Sequence, residues 1–115
     1  MNEFEALVLS AAIEAPVAWF LVRATAWPCR GPGHAALAAA TATAVTHPQL
    51  WDAVLWLAPR LGYLPAVAIG ETAVVLVEAA IIGWVVMLPP LRALGLSLVT
   101  NSASFAAGLL LAALV

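Results

Sequence analysis

The feature that most constrains this chain is its division, at clusters of proline, glycine and charge, into four stretches long and apolar enough to cross a bilayer. About 30 Å of hydrocarbon needs about 20 helical residues at roughly 1.5 Å each. The stretches run 4–27, 35–57, 64–88 and 91–114. The segment from Pro28 to His34 separates the first two, because its prolines and glycines cannot continue a helix. Pro65 sits in the first turn of the third, where proline is tolerated, and Pro89-Pro90 makes a very short turn into the fourth.

Composition agrees. Of 115 residues, 65% are hydrophobic and 9% charged, against an apolar share of roughly 45–50% in soluble domains. A soluble domain of this size would expose large apolar patches. A lone cysteine, Cys29, excludes a disulfide scaffold, and four arginines without a lysine cannot build a nucleic-acid-binding face. The predicted fold is all-α: a polytopic membrane protein, one integral membrane domain over residues 1–115, built as a four-transmembrane-helix bundle. Pro48, near the middle of the second stretch, predicts a kinked or broken helix there, with carbonyls freed at Thr46-His47-Pro48 to bind a cation.

Trp27, Trp56, Tyr63 and Trp84 fall near predicted helix ends, where an amphipathic ring sits at headgroup level, while Trp19 and Trp51 lie deeper. Arg23, Arg30 and Arg92 flank the first and third connections and Arg60 the second, which predicts both termini outside, in a cell inner membrane. Ala24-Thr25-Ala26 resembles a signal-cleavage site, but the start of the chain is acidic and Glu14 and Pro16 interrupt its apolar core, so the first stretch is read as a retained helix.

Four of the six acids, Glu14, Asp52, Glu71 and Glu78, fall within the spans, where ionisable groups are costly and functional by default. Glu14, His47, Glu78 and Asn101 with Ser102 lie near the centres of successive stretches, so every helix brings a polar group to one depth. Glu71 and Glu78, seven apart, share a helical face. Ser97, Asn101, Ser104 and Gly108 form one stripe, and Ser10 with Glu14 and Thr43 with His47 add pairs at i, i+4. Ala36, Ala40 and Ala44 are spaced for close helix approach.

Carboxyl groups and an imidazole inside the slab exchange protons when access changes. The expected proton- or cation-binding residues are Glu14, His47, Glu71, Glu78 and Asn101, supported by Ser10, Thr43, Ser97 and Ser104. These donors also suit a divalent transition metal, although no His-x-x-x-His or Glu-x-x-His spacing is present, and the residues name no cofactor. The serines read equally as interhelical hydrogen-bond glue.

In length, four spans and an acid at Glu14, the chain resembles the small multidrug resistance transporters, which couple proton and cation binding at one membrane glutamate in a dimer. It departs from them in Glu71, Glu78 and His47-Pro48 and lacks their aromatic and glycine motifs, so no residue role is carried over. The Glu, His and Asn types also resemble intramembrane prenyl-protein proteases, whose paired glutamates and second histidine motif are missing. The leading expectation is a proton- or cation-coupled transporter or channel acting as a homo-oligomer in the lipid bilayer. The alternatives are a non-catalytic subunit among other membrane subunits and, last, an intramembrane metal-dependent enzyme.

Overall fold

The computed structural model describes residues 1–114 and consists of four helices: α1 (Glu3–Thr25), α2 (Pro32–Leu61), α3 (Tyr63–Val86) and α4 (Pro90–Leu114). Each end has a local cause. Asn2 caps α1 by accepting from the Glu5 backbone N–H, while the Glu5 carboxylate accepts from the Asn2 N–H, a reciprocal capping box. Ala26 and Met87 adopt left-handed backbone after α1 and α3 and end both helices. Pro32, where the chain was expected to be still in a loop, instead starts α2, because a proline at the first helical position gives up only an N–H that would have no partner.

α2 is longer than its predicted stretch at both ends, and it runs unbroken through Pro48. The unwound turn expected at Thr46-His47-Pro48 is therefore corrected to continuous helix. Proline deletes one hydrogen bond of the ladder, and neighbouring helices packed on both sides make that loss tolerable. Pro16 is accommodated in α1 in the same way. α1, α3 and α4 are long and apolar enough to cross a membrane; α2, which carries His47, Gln49, Asp52 and Arg60 besides three threonines, is not among them.

The helices alternate in direction and close a ring, α1 on α2 and α4, and α3 on the same two. The end where α1 passes to α2 and α3 to α4 holds Arg23, Arg30 and Arg92, and the opposite end holds Arg60. Three of the four guanidiniums lie over indole rings, Arg23 on Trp19, Arg60 on Trp56 and Arg92 on Trp27.

The half of the bundle nearer the three arginines has an apolar core of Ala18, Val22, Ala35, Ala38, Ala39, Ile82, Val86, Leu88, Ala93 and Leu96. The alanines that bring α2 close are thus Ala35, Ala38, Ala39 and Ala42, whereas Ala44 is exposed, which corrects the expected stripe. On α3, Gly83 admits α4: a Cβ there would stand 3.2 Å from the Ala93 Cβ. Outside, large apolar side chains such as Phe20, Leu76, Trp84 and Leu110 are exposed, while Glu14 and Glu78 are 2% and 1% exposed. The polarity of a soluble protein is inverted.

α2 and α3 are joined by Gly62 alone, at φ 91° and ψ 161°, a region essentially closed to residues with a Cβ. Its N–H caps α2 at the Ala58 carbonyl and its own carbonyl accepts from Ala66. Gly62→Ala is expected to lower stability by about 1–3 kcal/mol, measured by unfolding in mixed detergent micelles.

Candidate functional site

Above the apolar core the interior turns polar. Glu14 of α1 and Glu78 of α3 stand on helices that face each other across the bundle, and the two helices that pack on both, α2 and α4, each supply one hydrogen-bond donor to each acid. For Glu14, Thr43 Oγ1 donates to Oε2, and Ser104 Oγ donates to Oε1 at 2.7 Å. For Glu78, Thr46 Oγ1 donates to Oε1 at 2.7 Å and Asn101 Nδ2 to Oε2 at 2.8 Å. Thr43 and Thr46 are three apart on α2, as Asn101 and Ser104 are on α4, so each pair shares a helical face and one helix serves both acids. A carboxyl taken out of water needs such partners, and these two have them on both oxygens.

Asn101 is held in turn. The second amide hydrogen goes to Ser97, whose carbonyl accepts at 2.9 Å, and the Ser97 hydroxyl donates to the Val75 carbonyl of α3 at 2.8 Å. Ser97 is wholly buried and acts as the interhelical tie that fixes Asn101. Thr100 Oγ1 also donates to the Ser97 carbonyl.

A cavity of about 310 Å³ reaches this cluster from one end of the bundle. Met1, Tyr63 and Ala112 stand at its mouth, Ser10, Glu71 and Gly108 along its length, and Glu14, Glu78 and Asn101 at its floor. Among the described residues, no arginine lines it. Beyond the floor lies the apolar core, so the cavity opens at the end away from the three arginines and stops about midway.

The remaining expected residues fall as follows. His47 lines the cavity but does not join the carboxyl cluster; its ring stacks on Trp51 at 6.2 Å, and its Nδ1 is buried without a hydrogen-bond partner among the described residues. Glu71, half-buried, makes no side-chain hydrogen bond among the described residues and, with Phe105, borders both the cavity and a groove of about 610 Å³ on the outer face between α3 and α4. Ser10 is half-buried on the cavity wall. Asp52 and Ser102 are exposed, away from the cluster. Thr46, expected only as part of a helix break, is the partner of Glu78 that sequence reasoning missed; its three-residue spacing from Thr43 was the available signal.

Among the described residues, no group of three or more His, Cys, Asp or Glu side chains is placed to hold a metal ion. Comparison with protein-family models, curated proteins and solved structures gave no match.

Because Asn101 supplies a buried acid with a fixed donor, Asn101→Leu is expected to cost about 1–3 kcal/mol. Ser97→Ala, which removes one tie between α3 and α4, should cost about 0.6 kcal/mol. Unfolding of both variants in mixed micelles checks the order, and equal losses would contradict it.

Proposed function

We propose that this chain is a small integral membrane protein that moves protons, or a cation in exchange for them, through the polar half of its bundle. In this reading all four helices span the bilayer, α2 being the fourth because the polar residues in its middle, Thr43, Thr46 and His47, are buried inside the bundle. The observation that carries it is the one-ended cavity floored by two buried carboxyls with no arginine on its walls. Negative charge in such a place has no arginine beside it among the described residues, so it is neutralised by a proton or an imported cation. The apolar half, packed around alanines and Ile82, is the barrier that has to open for release on the other side.

The arginine distribution supports a topology with both termini outside, the cavity then facing outward, in a cell inner membrane. The homo-oligomer inferred from the chain's small size is a separate proposal, tested by mass measurement in lipid nanodiscs.

Purified protein in proteoliposomes is expected to give pH-gradient-dependent flux that falls to the level of protein-free vesicles in Glu14→Gln and in Glu78→Gln. Unchanged flux in both variants would remove the acids from the mechanism. A second reading, a non-catalytic subunit of a larger membrane assembly, draws on the outer groove between α3 and α4, where Glu71, Thr72, Asn101 and Ser102 give an apolar surface polar points for a neighbouring helix. It predicts recovery with other chains in mild detergent and poor accumulation alone; a stable self-contained preparation with flux would exclude it.

A further inference from the structure

The hydroxyls around the two buried acids are not equivalent. Thr46 Oγ1 has two acceptors in reach, Glu78 Oε1 at 2.7 Å and the Ala42 carbonyl at 2.9 Å. Ser104 Oγ likewise has Glu14 Oε1 at 2.7 Å and the Asn101 carbonyl at 3.1 Å. A hydroxyl carries one hydrogen and can give it to one acceptor at a time, while its oxygen can accept. The other two donors have no such choice. Thr43 Oγ1 has Glu14 as its only hydrogen-bond partner among the described residues, and the Asn101 amide nitrogen can only donate.

The geometry points to Thr46 and Ser104 as reversing hydroxyls that keep Glu78 and Glu14 hydrogen-bonded in both their charged and their neutral forms, so that each acid can gain or lose a proton without leaving a buried polar atom unpaired. With Glu78 ionised, Thr46 donates to Oε1. When a hydronium ion in the cavity gives up a proton, its O–H bond breaking to leave water as a new O–H bond forms on Oε1, that O–H donates to Thr46 Oγ1 and the threonine hydrogen turns to the Ala42 carbonyl. No other covalent bond changes. Ser104 does the same for Glu14, turning between Oε1 and the Asn101 carbonyl. Neither carbonyl is orphaned when the hydroxyl leaves, because each also accepts the backbone N–H one helical turn on. Each acid thus has one fixed donor on one oxygen and one reversing partner on the other.

The assignment rests on the proton-exchange reading of the site. The titratable groups that line the cavity are Glu14 from α1, His47 from α2 and Tyr63, Glu71 and Glu78 from α3, with the Met1 amino group ahead of α1 at the mouth; α4 contributes only Asn101 and the hydroxyls, its sole charge being Arg92 at its far start.

A positioning role of this kind has a signature that a one-way donor lacks. Removing a donor that serves only the carboxylate displaces the acid's titration midpoint, whereas removing a partner of both forms weakens both and leaves the midpoint in place. The experiment is infrared titration of the carboxyl bands in nanodiscs, assigned with Glu14→Gln and Glu78→Gln, together with thermal unfolding on both sides of each midpoint. Thr43→Val is expected to displace the Glu14 midpoint by about one pH unit or more. Thr46→Val and Ser104→Ala are expected to keep the Glu78 and Glu14 midpoints within roughly half a unit while unfolding at lower temperature at both pH extremes. Thr46→Ser and Ser104→Thr, which keep the hydroxyl, should behave as the parent.

A Thr46→Val or Ser104→Ala midpoint displaced as far as that of Thr43→Val would overturn the assignment, as would parent-like unfolding at either extreme. If Thr46→Val does not fold, the half-buried Ser104 site decides the matter. The infrared result does not depend on transport: titration as expected without vesicle flux sinks the transport reading and leaves the reversing hydroxyls standing, and flux with displaced midpoints does the opposite.

Discussion

A carboxyl group deprived of water must be given hydrogen-bond partners, and the architecture of this bundle follows from meeting that demand twice. Glu14 and Glu78 stand on helices that face each other across the bundle, and their four partners come from the two helices that pack on both. Thr43 and Thr46 on α2 and Asn101 and Ser104 on α4 then fix the rotation of all four helices about their axes. An apolar contact in lipid discriminates weakly between rotations, because hydrocarbon receives leucine as readily as a neighbouring helix does. The polar cluster supplies the specificity that the alanine-lined half, close-packed but featureless, cannot.

The two halves of the bundle divide the work. Around Ile82 and the α2 alanines the helices approach closely and exclude water. Around the acids polar side chains meet across the interior, and the cavity reaches them there. The same sequence therefore builds a seal and a vestibule in series along one axis, and the carboxyls stand at the boundary.

Much of this was legible in the sequence. The four elements followed from apolar length and from proline and glycine punctuation, and the acids stood out because ionisable groups are rare in such stretches. Less could be read where the side chains give no contrast. α2 has alanine on every face, so spacing alone favoured Ala36, Ala40 and Ala44 when Ala35, Ala38, Ala39 and Ala42 make the contacts. Pro48 suggested a break, because propensity describes an isolated helix and takes no account of the neighbours packed on this one, which runs on without interruption. Thr46 was overlooked since a threonine in a helix ordinarily bonds back to its own turn; here the same hydroxyl has both that carbonyl and Glu78 within reach. His47, equally conspicuous in sequence, sits on the wall and stacks with Trp51 rather than joining the acids.

The linkage at Gly62 bears on how the aperture above the acids can vary. At that end of the molecule a single residue ties α2 to α3. The α2–α3 side of the rim is thereby tethered, and a change in its width has to be absorbed at Gly62 or come from the side where Met1 and Ala112 stand.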